Sequence, residues 1–289
     1  MRKIGLIANH NKPQVRPVTL ELMDWLEKRG VQPLILESTA AMLGCPQRGA
    51  GPRELAEADC LLSLGGDGTL LRAARLVADR GTPILGVNLG HLGFLTEIEL
   101  NELFPSVERL LAGDFRLEER MMLHTCLRRG ERRASFVALN DVVITKGAFS
   151  RMLRLEVYVG GDYLDTYTAD GLIISSPTGS TAYSLSAGGP LVSPELEVMI
   201  LTPICPHTLY ARPLVVPGER KIQVKVYTAG AEVMLTVDGQ QGMQLNHNDE
   251  IVASRAGTPA RLVRLGERSF YSLVREKLRE GGSRHRHRN

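Results

Sequence analysis

The residues with the clearest chemical potential stand five in a row, Gly65-Gly66-Asp67-Gly68-Thr69. They follow an apolar run at 61–64 and open a helix-period segment at about residues 69–79, which places a glycine turn at a helix N-terminus. Phosphate sites are built this way, because glycines let backbone amides approach phosphate oxygens, while the unpaired amides and the helix dipole favour negative charge. A plain tight turn between strand and helix has the same composition. Asp67 is out of place in a simple anion cradle: a carboxylate among phosphates is repelled unless it binds metal or accepts a proton. That oddity favours catalysis. Two common nucleotide signatures are missing, since no Gly-x-x-x-x-Gly-Lys-Ser/Thr loop occurs and Gly66-x-Gly68 is followed by Leu71 where a dinucleotide fingerprint needs glycine.

A second chemical stretch is the run Asp170-Gly171-Leu172-Ile173-Ile174-Ser175-Ser176-Pro177-Thr178-Gly179-Ser180-Thr181-Ala182-Tyr183-Ser184-Leu185-Ser186-Ala187-Gly188-Gly189-Pro190. It reads as a strand ending in a hydroxyl- and glycine-rich turn, with amides and hydroxyls for a polar ligand and Tyr183 as a flat surface for a ring. A polar loop leading into a small-residue helix is the plainer reading. Asn140-Asp141 by itself is a strand-entry turn, Asp238-Gly239 a hairpin turn, and residues 204–217 a proline-punctuated loop in which His207 reads as structural.

The elements that must position these residues fall into two textures. Up to residue 111, short apolar runs (3–9, 33–37, 60–64, 83–87) alternate with helix-period segments (18–29, 69–79, 101–111). Val18, Leu22, Trp25 and Leu26 share one helical face, and Gly30 follows as a stop. This rhythm predicts a parallel sheet with covering helices. Strand-length runs separated by glycine turns come next, at Gly130, Gly160-Gly161 and Gly230. Residues 221–228 alternate apolar and polar, the pattern of a sheet with one wet face. The predicted fold is therefore an α/β, Rossmann-like N-terminal domain (1–115) and a β-rich, sandwich-like C-terminal domain (116–255). A final segment, 256–280, is expected to pack back on the α/β domain, and 281–289 to be a disordered tail that Gly281-Gly282-Ser283 detaches.

Composition excludes several classes. In 289 residues with 43% hydrophobic content no apolar run approaches the ~20 residues of a membrane span. Asn9, His10, Asn11 and Lys12 cut the first apolar run short of a signal peptide, which predicts a cytoplasmic protein. A net charge of +3, much of it in the tail from Arg284 to Arg288, does not suggest nucleic-acid binding. Cys45, Cys60, Cys126 and Cys205 form no Cys-x-x-Cys pair and read as buried free thiols.

The glycine loop resembles the signature shared by NAD kinases, diacylglycerol and sphingosine kinases and, more distantly, phosphofructokinases. The 170–190 run closely resembles bacterial NAD kinases, as do Asn140-Asp141, the 204–217 stretch and Asp238-Gly239-Gln240. The resemblance implies transfer of the terminal phosphoryl of ATP, or of another donor, to the ribose 2'-hydroxyl of NAD, giving NADP. It implies Asp67 as proton acceptor, with Gly65, Gly66, Gly68 and Thr69 forming the phosphate loop and Gly68 and Arg72 lying near phosphates. Asn140, Asp141, Arg151, Asp170, Thr181, Ala182, Tyr183, Ser184, Leu185, Ser186 and Gln240 are implied NAD contacts. It further implies magnesium, no assured metal ligand from protein side chains, a site in the cleft between the domains, and a homodimer or homotetramer. Asp141 is one methylene shorter than the glutamate of some relatives, and Thr168 falls where some carry a basic residue. A lipid kinase sharing the loop, and a non-catalytic dinucleotide sensor, are the alternatives; the 178–186 run argues against the first and Asp67 against the second.

Overall fold

A computed structural model describes residues 1–90, 93–148, 150–208, 210–228 and 230–283, with backbone alone beyond 277. The chain divides into two compact units. One comprises Met1–Ala73, Thr82–Glu118 and the chain from Arg261 onward; the other comprises Ala74–Gly81 and Glu119–Ala260.

In the first unit a sheet runs in the order Gly49–Ala50, Gln32–Leu36, Lys3–Ala8, Cys60–Gly65, Ile84–Asn88, Ala260–Arg264, Arg116–Arg120, with Ile98–Glu99 also beside Ile84–Asn88. The pairs from Gly49–Ala50 across to Ile84–Asn88 are parallel, as is the Leu262–Ile84 pairing. Cys60–Gly65 and Ile84–Asn88 are buried at every residue, which is why they read as unbroken apolar runs: both faces of a parallel sheet are covered. The helix Val15–Glu27 buries Val15, Thr19, Leu22, Met23 and Leu26. Its first turn starts three residues before the predicted boundary, and Val18 and Trp25 pack only at the edge of the core. Residues 37–43 are too short for a periodic signal yet form the helix Glu37–Leu43, which ends on Gly44 at φ 83°.

In the second unit two six-stranded antiparallel sheets enclose one apolar core, the predicted sandwich. One has the order Leu214–Pro217, Val198–Ile204, Gly171–Ser175, Asp141–Lys146, Val233–Val237, Gln241–Leu245. The other has the order Asp162–Ala169, Leu153–Val159, Ile222–Tyr227, Glu250–Arg255, Leu123–Arg129, Arg132–Ala138. In Ile222–Tyr227 the alternate residues Ile222, Val224 and Val226 are fully buried, as the period of two requires.

Two expectations are corrected. The helix Phe270–Ser283 continues through Gly281 and Gly282, where a break was predicted; glycine weakens a helix by about 1 kcal/mol and does not forbid it. The tail from Arg284 to Arg288 lies outside the described residues. Of the four thiols only Cys60 is fully buried; Cys45 and Cys126 are half-buried, and Cys205 is exposed on a loop residue at φ 45°. Burial pushes the Cys60 thiol up to about 12. Among the described residues no helix is long and apolar enough to cross a membrane.

Where the chain returns to the first unit, Arg264 is buried between two glutamates. Its Nη1 lies 2.9 Å from Glu97, and its Nε bonds Glu118. The second carboxylate oxygen of Glu97 accepts the N–H groups of Leu265 and Gly266 at 2.8 and 2.9 Å. Removing the cation leaves the buried Glu97 carboxylate with two amides and no counter-charge, so Arg264→Ala is expected to lose about 3 kcal/mol. Chemical denaturation of the wild type and variant checks this, and coincident curves would refute it.

Candidate active site

Gly65 closes the strand Cys60–Gly65, and Asp67 is the first residue of the helix Asp67–Leu76, which matches the predicted turn at a helix N-terminus. Thr69 and Leu70 donate their N–H groups to Gly66 O at 2.9 and 3.2 Å, tightening the first turn. A Cβ on Gly65 would stand 2.1 Å from Thr69 Oγ1, so only glycine fits there, whereas one on Gly66 would meet nothing. Packing does not explain the second glycine. A backbone bare on its open side is what a phosphate needs for close approach.

Asp67 is held from outside its own turn. Its Oδ2 accepts the Phe94 N–H at 2.7 Å, and its Oδ1 accepts the N–H groups of Leu95 and Thr96 at 3.1 and 3.2 Å. Gly93 lies so close that a Cβ would be 1.9 Å from Oδ1. Behind this loop the Arg264 guanidinium donates to Leu95 O at 3.2 Å and grips Glu97, so the buried cation also fixes the amides that orient Asp67. A carboxylate has about four acceptor positions. Among the described residues three are filled, which leaves one for a hydroxyl. Arg72, expected near phosphates, donates to Ser38 Oγ at 3.0 Å.

In the second unit Asn140 and Asp141 lie at the start of the strand Asp141–Lys146, antiparallel to Gly171–Ser175. Ser176 donates its N–H to Asn140 O at 2.8 Å, and a Cβ on Gly179 would clash with the same oxygen, so the hydroxyl-rich turn is packed on the Asn140 backbone. That turn is a 3-10 segment, Thr178–Thr181, and a single helical turn, Tyr183–Ser186. Tyr183 is 44% exposed. Thr181 is half-buried with its hydroxyl on Thr178 O, and Ser184 is buried with its hydroxyl 2.9 Å from that of Thr202. The Ser184 hydroxyl is therefore engaged within the fold. The backbone carbonyl of Ala182 accepts from Leu185 and Ser186, closing the turn.

Asp170 lies 3.3 Å from Lys146 Nζ, which also donates to Ser150 O; Arg151 is exposed just beyond. Gln240, after the hairpin turn at Asp238-Gly239, accepts from Arg75. His207 is exposed, and its backbone N–H bonds Thr168 O at 2.8 Å. Within this unit the structure thus brings Asn140 and Asp141 to the 176–179 turn. Asp170 pairs separately with Lys146.

Burial, and secondarily the charge of Asp238, push the Asp141 carboxyl up from 3.8 to about 7. The folded state therefore holds a proton between those values that the unfolded chain has released, so stability falls as pH rises across the window. Asp141→Asn removes this fall. The variant is expected to gain on the wild type in thermal stability from pH 5 to pH 8, and parallel profiles would refute the shift.

Sequence reasoning missed Gly93, the amides of 94–96, and Arg264 with its glutamates. Backbone donors carry no sequence signal, and Arg264 is remote in the chain from the loop it supports. Among the described residues no group of three or more His, Cys, Asp or Glu is gathered to hold a metal. Magnesium usually keeps several waters and is held largely by substrate phosphates, with one or two carboxylates at most.

A parallel α/β sheet with a carboxylate on its glycine loop, together with an antiparallel sandwich, defines a phosphate-handling two-unit class. Comparison with known proteins narrows it: residues 4–115 match the ATP-NAD kinase N-terminal domain and residues 139–265 the ATP-NAD kinase C-terminal domain. The NAD kinase of Moorella thermoacetica is 67% identical over 98% of this chain and 91% of its own length. That of Heliobacterium modesticaldum is 50% identical over 97% of this chain and its full length. Among solved structures, yeast NADH kinase complexed with NADH aligns with a TM-score of 0.84 at 27% identity, covering 95% of this chain and 86% of that one. An Archaeoglobus fulgidus NAD kinase in complex with ATP gives 0.75 at 25% identity, covering 96% and 98%. The chain belongs to the NAD kinase family.

Proposed function

We propose that this chain transfers the terminal phosphoryl group of ATP to the 2'-hydroxyl of the adenosine ribose of NAD, forming NADP and ADP. The observation that carries the reading is Asp67, a carboxylate at a phosphate-type helix N-terminus, oriented by three amides with one acceptor position left among the described residues. In the reaction the ribose oxygen bonds to the terminal phosphorus and the bond from that phosphorus to the bridging oxygen breaks. ADP leaves with the electron pair, and the hydroxyl proton passes to Asp67. Phosphoryl transfer relies chiefly on positioning and charge neutralisation. Magnesium, held by the substrate phosphates, would supply part of that neutralisation.

Gly66 and Gly68 offer backbone to phosphate. Asn140 and Asp141 present polar side chains to the dinucleotide, and Tyr183 presents its ring. Arg151, Asp170, Thr181 and Gln240 belong to the same binding surface in this reading. Homo-oligomers and a cytoplasmic location belong to it as well.

The decisive measurement is NADP formation by purified protein with NAD, ATP and magnesium; no product with any phosphoryl donor would overturn the reading. Asp67→Asn is expected to lower kcat by about 10² to 10⁴, the usual worth of a general base. Asparagine also turns an amide donor toward the 94–96 amides, so NAD binding by calorimetry must accompany the rates. Near wild-type turnover in a folded, NAD-binding variant would exclude Asp67 as the base. Tyr183→Ala is expected to raise KM for NAD and not for ATP; a loss of thermal stability alone would assign the ring to packing.

A further inference from the structure

Three consecutive backbone N–H groups converge on a single carboxylate, that of Asp238. Its Oδ2 accepts from Leu139 at 3.2 Å, and its Oδ1 accepts from Asn140 at 2.8 Å and from Asp141 at 3.3 Å. The side chain is fully buried, and its charge is met by Arg75 Nη1 at 2.7 Å, itself 9% exposed. In return the Asp238 N–H donates to Asp141 O at 2.9 Å. The remaining carbonyls of the segment are also taken: Leu139 O accepts the Ser176 hydroxyl, and Asn140 O accepts the Ser176 N–H and the Ser175 hydroxyl. The main chain of 139–141 is thus saturated. By contrast, the Asn140 and Asp141 side chains hold no hydrogen bond among the described residues.

We propose that Asp238 is a positioning residue for the dinucleotide: it fixes the backbone of 139–141 so that Asn140 and Asp141 meet NAD in one orientation, with Arg75 holding its charge in place. This rests on the reading of the chain as an NAD kinase. Asp238-Gly239 does form a tight hairpin turn between Val233–Val237 and Gln241–Leu245, with both residues at positive φ, 49° and 62°. A turn of that kind accepts Asn-Gly as readily as Asp-Gly. It gives no reason for a buried negative charge or for its arginine. The charge is explained by four donors on two oxygens, which only a carboxylate can accept, since an asparagine amide has one acceptor oxygen and would aim its NH₂ at other donors.

The discriminating variant is therefore Asp238→Asn, which keeps the turn and removes the clasp. Backbone amide hydrogen exchange at 139–141 is expected to accelerate. KM for NAD is expected to rise about tenfold or more, within the ~10² that a small misplacement of a binding group costs, with KM for ATP unchanged. Asp238→Glu, which keeps both acceptors, is expected to recover part of the affinity. Should Asp238→Asn not fold, Arg75→Lys, which keeps the charge but loses the planar fork, is read by the same two measurements. Exchange at the wild-type rate in the folded variant would overturn the inference, and so would faster exchange with KM for NAD unchanged. Wild-type protein that forms no NADP would overturn the kinase reading itself, a result separate from either.

Discussion

A carboxylate withdrawn from water must be given hydrogen-bond donors or must keep its proton, and this rule organises both units. Asp67 is given the amides of 94–96, Asp238 those of 139–141 and the Arg75 guanidinium, and Glu97 the amides of 265 and 266 and the Arg264 guanidinium. In each case the donors include main-chain groups of a segment remote in sequence, so satisfying the charge also pins a loop. Asp141 receives no such donors among the described residues. The same residue type is clasped by three amides and a guanidinium at 238 and, at 141, has its carboxyl pushed up to about 7 by burial.

Much of the fold was legible because its periods are clean. The buried strands of the parallel sheet read as unbroken apolar runs, and Ile222–Tyr227 alternates because one of its faces meets the core. Residues 37–43 were not legible as a helix, being shorter than two turns, and Gly281-Gly282 misled because glycine only lowers helix propensity. At the site, the residue types of the glycine loop and of the 178–186 turn announced polar ligands. What holds them did not. The amides of 94–96 are chemically anonymous in a sequence, and Asp238 was hidden behind a sufficient explanation, since Asp-Gly is an ordinary turn. Ser184 illustrates the converse: a hydroxyl in a binding motif that the fold itself consumes through Thr202.

The order in which the chain contributes to the two units has a consequence for its synthesis. Residues 119–260 interrupt the first unit, whose sheet is completed only by Ala260–Arg264. A nascent chain leaving the ribosome therefore carries the parallel strands and the Asp67 loop long before Arg264 emerges to meet Glu97. The α/β sheet must wait for Arg264, which bonds Glu97 from 167 positions further along the chain, and closing so long a loop costs entropy that delays non-local contacts. Until then the edge of Ile84–Asn88 that Leu262 will cover is open to intermolecular pairing. The interval between translation of residue 118 and of residue 264 thus separates the first strands of this sheet from the segment that completes it.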